Sequence, residues 1–337
     1  MRQTQLVTEH QRRDINVLAQ QPSTRPWVAT RNSIGKAHVW FVVATIPALA
    51  AALLMQAQLG HLNRFAESWL PLLAVVLAAS LAWHLAFATA RRRPLDSAWL
   101  MHGWLFCLLV PTDLSLALAT VGISFGVVIG ALIFGGTGRY LVSPALLGVV
   151  FISLSYPTHF DAALANSSWG QLATGQFQPP ANWVGLALLQ ASPTIAEVSA
   201  AACLLGALLL YLAQVISLRI VAGALLGAGA AAYLVNFAGA NMALSDLPPV
   251  GHWISGSFAF CIAFIATDPT AAATTRPGRW FYGGLVGVLT VTLRVLNPEH
   301  PEGTYAACLL ASLFAPLIDH VCVNVQLRRS KRLMAEL

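Results

Sequence analysis

The chain has 337 residues, of which 57% are hydrophobic and only 9% are charged, and its net charge is +6. A soluble domain carries about 25% charged residues, so this composition excludes an ordinary soluble fold and predicts an all-α polytopic membrane protein. The positive charge does not indicate a nucleic-acid partner, because the basic residues follow the orientation rule of membrane proteins.

Apolar runs long enough to cross a lipid bilayer recur along the chain. A spanning helix needs about 20 apolar residues, and this criterion predicts spans at 39–58, 69–90, 97–111, 114–134, 142–157, 195–214, 219–238, 250–267, 280–296 and 304–324. About ten transmembrane helices are therefore expected. They divide the chain into a polar tail at 1–38, a first five-helix repeat at 39–157, an outer loop at 158–193, a second five-helix repeat at 194–324 and a basic tail at 325–337.

The lysines and arginines predict the orientation of these spans. With the N-terminus in the cytoplasm, every basic residue except Arg64 and Arg294 falls on the cytoplasmic side, as expected of a multi-pass protein of the bacterial inner membrane. Both termini are then cytoplasmic. The segment 158–193 contains no lysine or arginine and is expected to face the periplasm.

A polar stretch at 134–144 separates the fourth and fifth predicted spans. It contains three glycines, a proline and an arginine. Its backbone groups would remain unpaired if it faced lipid, so it must lie against protein or line a wet cavity. We expect it to form the floor of the functional site.

Two similar clusters end spans that run in opposite directions. Val110-Pro111-Thr112-Asp113 ends the third span at its outer side, and Ala266-Thr267-Asp268-Pro269 ends the eighth span at its inner side. This pairing predicts two inverted five-helix repeats with interrupted helices where they meet.

Three acidic residues are candidates for an ion path: Asp268, Glu197 and Asp319. Each also has a structural interpretation. Asp268 followed by proline is an ordinary helix start, and Thr194 with Glu197 fits a capping box. Asp319 lies beside His320 inside the last span, where a charged group is costly unless it faces the bundle interior.

The histidines and cysteines give weaker signals. His84 and His102 lie inside predicted spans. Each is as compatible with a hydrogen-bonded core histidine as with a functional one. The five cysteines are far apart and do not suggest a metal site, so they are interpreted as small buried hydrophobic residues; they are Cys107, Cys203, Cys261, Cys308 and Cys322.

Several motifs resemble one family of respiratory membrane proteins. They include Gly122-Ile123-Ser124-Phe125-Gly126, Phe134-Gly135-Gly136-Thr137-Gly138-Arg139, Arg294-Val295-Leu296-Asn297-Pro298 and Leu313-Phe314-Ala315-Pro316-Leu317-Ile318-Asp319-His320. The resemblance is to the NqrB/RnfD family, whose members are membrane subunits of the sodium-translocating NADH:quinone reductase and of the Rnf complex. It covers residues 38–332.

The resemblance implies a protein that is not catalytic alone and that works with sister subunits in the lipid bilayer. Such a protein carries flavin and passes electrons toward quinone, coupled to movement of Na+ or H+. The resemblance implies FMN bound covalently to Thr174. It also implies a second site, for either riboflavin as a second flavin or the quinone, near Gly135, Gly136, Arg139, Tyr140 and Ser143.

The sequence departs from the family pattern at the expected cofactor positions. In the acceptor motif, Ser168 replaces an aspartate and Leu172 replaces a glycine, whereas Ala173-Thr174 is kept. The family's two riboflavin-contacting asparagines align with Tyr140 and Ser143. These departures leave an alternative function open, that of a flavin-free paralogue acting as a cation path or as a structural module of a redox complex.

Overall fold

The computed structural model describes residues 34–157, 183–238, 244, 247–297 and 303–335, with side chains up to residue 328. Every regular element within these ranges is helical, which confirms the all-α prediction. The described residues form the helices α1 (Ile34–Ala44), α2 (Ile46–Gln58), α3 (Leu62–Ala90), α4 (Ala98–Leu109), α5 (Leu116–Val127), α6 (Pro144–Ser155), α7 (Trp183–Leu188), α8 (Ala200–Leu212), α9 (Leu218–Phe237), α10 (Pro249–Ile254), α11 (Phe258–Phe260), α12 (Arg276–Leu296) and α13 (Gly303–Ala335).

Short turns of other helix types interrupt this pattern. A π-helical turn, Val128–Leu132, directly follows α5, and a second one, Cys261–Ile265, directly follows α11. A 3-10 turn, Ile195–Glu197, precedes α8. Turns of the π type are rare and concentrate at functional sites.

Among the described residues, four helical stretches are long and apolar enough to cross a bilayer: Gly35–Gln58, Leu62–Ala90, Leu218–Phe237 and Gly303–Arg328. Four shorter apolar helices accompany them: Ala98–Leu109, Leu116–Leu132, Pro144–Ser155 and Ala200–Leu212. All of these helices coincide with predicted spans. The lengths and the apolar composition are those of a multi-pass membrane protein.

Some crossings are too short to be continuous transmembrane helices. The 12 residues of α4 extend about 18 Å at 1.5 Å per residue, against a hydrocarbon core of about 30 Å. Helices α10 and α11 are separated at Ser255–Ser257. Interrupted helices of this kind bring backbone groups into the interior, where side chains must pair with them.

The connections between the helices gather at two ends of the bundle. One end, called the basic end below, carries the α3–α4 connection at 91–97, the turn at 133–143 and the turn at 266–275. The other, called the far end, carries the α4–α5 connection and the segment that leads into α8. A hydrogen bond from the backbone N–H of Thr112 to the carbonyl of Pro193 (3.1 Å) joins these two far-end segments.

Glycines let two helix pairs pack closely. A Cβ atom at Gly148 of α6 would lie 2.5 Å from the carbonyl oxygen of Gly122 on α5. On α9, a Cβ atom at Gly223 would lie 2.8 Å from the carbonyl oxygen of Trp280 on α12. Since lipid supplies no hydrophobic drive between helices, such backbone contact is a main source of their association.

Apolar side chains from all parts of the bundle form one large core. The five cysteines are buried with free thiols, as predicted, and four of them, Cys107, Cys203, Cys261 and Cys308, belong to this core. The polar groups that remain in this interior define the candidate site.

Candidate functional site

The turn at 133–143 breaks the helical path at the basic end, where the sequence predicts a break. Gly135, Gly136 and Gly138 have φ angles of 113°, 88° and 81°, a region that favours glycine. The backbone N–H groups of Gly135 and Gly136 still bond to the carbonyls of Leu132 and Ala131. The Arg139 side chain lies over Gly135, where a Cβ atom would come within 2.9 Å of its Cδ.

This turn forms one wall of a cavity of about 200 Å³, called the basic-end cavity. The lining combines a histidine, two arginines, a carboxylate and the two glycines. Its residues are His84, Phe87, Ala88, Arg91, Arg93, Pro94, Asp96, Leu132, Gly135, Gly136 and Thr137. Of the residues predicted for a second cofactor, Gly135 and Gly136 line this cavity.

Tyr140 and Ser143 turn away from solvent instead. Tyr140 is 1% exposed, and its hydroxyl donates a hydrogen bond to Oδ2 of Asp268 at 2.9 Å. Oδ1 of the same carboxylate accepts the backbone N–H of Thr270 at 2.9 Å. The structure thus joins the two broken turns, one from each half of the chain. Asp268 caps a short turn and not a helix, since α12 begins only at Arg276.

A cluster of histidines leads from the cavity toward Tyr140. The ring centroids of His84 and His102 are 5.7 Å apart, and those of His102 and Tyr140 are 5.5 Å apart. Nδ1 of His84 lies 2.8 Å from the carbonyl oxygen of Ser80. His102 is fully buried, and neither of its ring nitrogens has a hydrogen-bond partner among the described residues. It is therefore not a hydrogen-bonded core histidine within this part of the chain.

Asp319 binds the start of α12 from the side of α13. Its Oδ2 accepts the backbone N–H and the hydroxyl of Thr274 at 2.7 and 2.8 Å. Its Oδ1 accepts the same two groups of Thr275 at 3.0 and 2.6 Å. Both carboxylate oxygens are thus fully engaged, as expected of a group that holds two helices together.

Glu197 lies at the far end, in a second polar cluster. It is 5% exposed and accepts a hydrogen bond from Ser192 Oγ at 2.7 Å. The predicted capping box is wrong, because Thr194 makes no side-chain cap, and the N-cap of α8 is Ser199, whose hydroxyl accepts from the backbone N–H of Ala202.

Arg294 completes the far-end cluster. Its guanidinium is 1% exposed and donates to the carbonyl oxygens of His252 (2.8 Å) and Ser255 (3.0 Å) and to the hydroxyl of Thr304 (2.9 Å). These carbonyls belong to the end of α10, where the helix breaks. The arginine therefore supplies the donors that the interrupted backbone lacks.

A second cavity, of about 360 Å³, lies at the far end and is mostly apolar. It is lined by Val150, Ser153, Leu154, Pro157, Leu293, Asn297, Gly303 and Ala306. Pro157 is the last described residue before the segment that contains Thr174. Thr174 itself lies outside the described residues.

The predicted site residues therefore separate into two places. The basic end holds Gly135, Gly136, Arg139, Tyr140, Ser143 and Asp268, together with Asp319 of α13, which binds the turn at 266–275; Glu197 lies at the far end. Two residues are more important than the sequence predicts: His102, which it leaves compatible with a core histidine, and Arg294, which it gives only as an exception to the orientation rule. A signal existed for both, since each is an ionisable residue at membrane depth.

Comparisons with known proteins extend over most of the chain. The model of a family described as NQR2, RnfD, RnfE matches residues 21–328. The NqrB subunit of the Na(+)-translocating NADH-quinone reductase from Yersinia pestis is 39% identical over 284 residues, which cover 79% of this chain and 69% of the relative. The corresponding proteins from Neisseria meningitidis serogroup B and Klebsiella pneumoniae strain 342 are 35% and 37% identical, each over 78% of this chain and 68% of the relative.

Proposed function

This chain belongs to the NQR2, RnfD, RnfE family, and from that premise we propose that it is a membrane subunit of an ion-translocating NADH:quinone reductase. The observation that carries the proposal is its similarity to the NqrB subunit of the Na(+)-translocating enzyme along most of both chains. The interrupted helices with buried carboxylates support it, because such breaks are where transporters place their ion sites. In this proposal the basic end faces the cytoplasm of a bacterial inner membrane.

The proposed covalent cofactor is FMN on Thr174. A flavin supplies one- and two-electron transfer when it is bound. The far-end cavity fits such a group, because its volume of about 360 Å³ lies within the usual range of ligand pockets, roughly 300–1,000 Å³. Its lining is mostly apolar, with Ser153 and Asn297 as polar groups. These residues would orient an aromatic ring and keep water away from it.

The residues at the basic end fit a second flavin poorly. The Tyr140 hydroxyl donates a hydrogen bond to Asp268. Tyr140 and Ser143 are both buried, and neither side chain lines the basic-end cavity. That cavity, of about 200 Å³, is below the usual range for a ligand of this size, roughly 300 Å³ or more. We therefore leave riboflavin out of the proposal and keep the basic-end cavity as a place for the quinone head group.

The proposed coupling residues are the two most buried carboxylates among the described residues, Asp268 at the basic end and Glu197 at the far end, which are 2% and 5% exposed. Na+ and H+ are both compatible with a buried carboxylate. Asp319 is assigned an anchoring role, because four donors from Thr274 and Thr275 occupy its oxygens.

The test begins with the chain expressed together with its sister subunits and a flavin transferase. After denaturing electrophoresis, the band of this chain should fluoresce as a flavoprotein. Thr174→Val should abolish that fluorescence, whereas the matched variant Thr158→Val, in the same segment, should keep it. The purified complex should reduce quinone with NADH and move Na+ or H+ into vesicles.

A dark band in the wild type, with a transferase that flavinylates another protein of the complex, would refute the cofactor assignment. The same dark band together with intact ion transport would favour the alternative, a flavin-free cation path.

A further inference from the structure

Three aromatic side chains connect the basic-end cavity to a buried carboxylate. His84 lines the cavity, and its ring centroid is 5.7 Å from that of His102. The His102 ring is 5.5 Å from the Tyr140 ring, and the Tyr140 hydroxyl donates to Asp268 at 2.9 Å. Every side chain in this series can accept and release a proton.

His102 is the unusual member of the series. It is 0% exposed, and within the described ranges no group bonds to either ring nitrogen. An unmet buried polar group is destabilising, so an apolar side chain of similar size would be more stable here. Imidazole has one property that an apolar side chain lacks: it takes up a proton on one nitrogen and releases another from the second.

We propose that His84, His102 and Tyr140 carry protons between the basic-end cavity and Asp268. The inference rests on the proposed function, in which Asp268 is a coupling carboxylate, and it adds that this carboxylate exchanges protons with the basic side of the membrane. The species that moves along this path is the proton.

The transfer is balanced without any redox change. Nδ1–H of His84 donates to the carbonyl of Ser80, so its Nε2 is free to accept a proton from a hydronium ion in the cavity, which leaves a water molecule behind. That proton passes to one nitrogen of His102, and the other nitrogen releases its own proton to the Tyr140 oxygen. Tyr140 at the same time gives its hydroxyl proton to Asp268. Each ring-to-ring gap is crossed after a side-chain rotation or through one water molecule.

Charged groups surround the entrance beside His84. Asp96, Arg91 and Arg93 all line the cavity. His38 of α1 joins the same cluster, with its Nδ1 2.9 Å from Ser97 Oγ and 3.9 Å from Asp96 Oδ1.

A competing path would reach Asp268 from another side. A cavity of about 170 Å³ is lined by Thr267 and Pro269, the two chain neighbours of Asp268. Water in that cavity would protonate the carboxylate without the histidines. The histidine path needs the Tyr140 hydroxyl, whereas the path through this cavity does not.

The experiment is a rapid pH jump followed by infrared spectroscopy on the purified complex in lipid nanodiscs, without NADH or quinone. The carboxyl band of Asp268 is assigned from its loss in Asp268→Asn. We expect Tyr140→Phe, which keeps the ring, and His102→Phe to slow the response of this band about 100-fold, the low end of what a positioned proton donor contributes. The exposed His61 provides the control, and His61→Phe should respond at the wild-type rate.

A wild-type rate in Tyr140→Phe would overturn the inference and favour the competing cavity. An Asp268 carboxyl band that does not change with pH in the wild type would also overturn the inference. The outcome is independent of flavin and of electron transfer, so a normal response in a complex without quinone reductase activity would refute the proposed function alone.

Discussion

Replacing Arg294 with methionine is expected to destabilise the far end of the bundle. The buried guanidinium donates to the carbonyls of His252 and Ser255 and to the hydroxyl of Thr304, at 2.8, 3.0 and 2.9 Å. Methionine is unbranched and apolar, is shorter than arginine and has no donor. The two carbonyls at the break after α10 would then lose their partner.

The magnitude follows from these three bonds. A hydrogen bond to a charged group contributes about 1.5–3 kcal/mol. The bonds share one side chain, and removing its charge also relieves the desolvation of that charge, so we expect a net loss of about 3–5 kcal/mol and not the full sum. At roughly 2 °C per kcal/mol for a large domain, the unfolding midpoint should fall by about 6–10 °C.

The five buried cysteines provide the assay. A thiol-reactive dye that fluoresces on coupling reports the temperature at which they become accessible. The control is Arg64→Met, because Arg64 is the other basic residue at the far end and is exposed on α3; an exposed substitution changes stability by about 0.5 kcal/mol or less. Midpoints for the two variants within about 2 °C of each other would refute the assigned role of Arg294.

Two further substitutions test the packing of α12. Asp319→Asn places an amide nitrogen among N–H and O–H donors of Thr274 and Thr275. The opening free energy measured by backbone hydrogen exchange at the start of α12 should therefore fall by about 1–3 kcal/mol. Unchanged exchange there would contradict the anchoring role. Gly223→Ala forces a Cβ to within 2.8 Å of the Trp280 carbonyl oxygen and should cost about 1–3 kcal/mol. Gly284→Ala is the control, because the nearest atom to its new Cβ is 3.9 Å away. Its unfolding midpoint, measured with the thiol-reactive dye, should stay at the wild-type value. Equal losses of stability in the two glycine variants would contradict the close packing.

The helices are predictable from the sequence because apolar length is a local property. The break at 134–144 was also predictable, since glycines and a proline cannot continue a lipid-facing helix. The burial of the five cysteines followed from their places inside apolar runs.

The roles of single polar residues depended on contacts that the sequence does not contain. Asp319 pairs with Thr274, 45 residues earlier, and no periodicity encodes that contact. Arg294 is only an exception to the orientation rule in the sequence, whereas its neighbours in space make it the partner of broken backbone. The N-cap of α8 was misplaced because Ser199 and Thr194 both precede the apolar run, and local preference does not choose between them.

The two π-helical turns each hold one extra residue just ahead of the two breaks. Each turn, Val128–Leu132 and Cys261–Ile265, lies immediately before a break that carries a member of the Tyr140–Asp268 pair. A π turn accommodates one residue more than an α turn does. Deleting a single residue from Cys261–Ile265 would therefore restore a regular α-helical turn and leave Asp268 close to its present orientation. Deleting one residue from a regular α-helix would instead rotate everything beyond it by about 100°, which would carry the carboxylate away from the phenol. A homologous chain that lacks one residue at either π turn can thus keep the contact between its two halves.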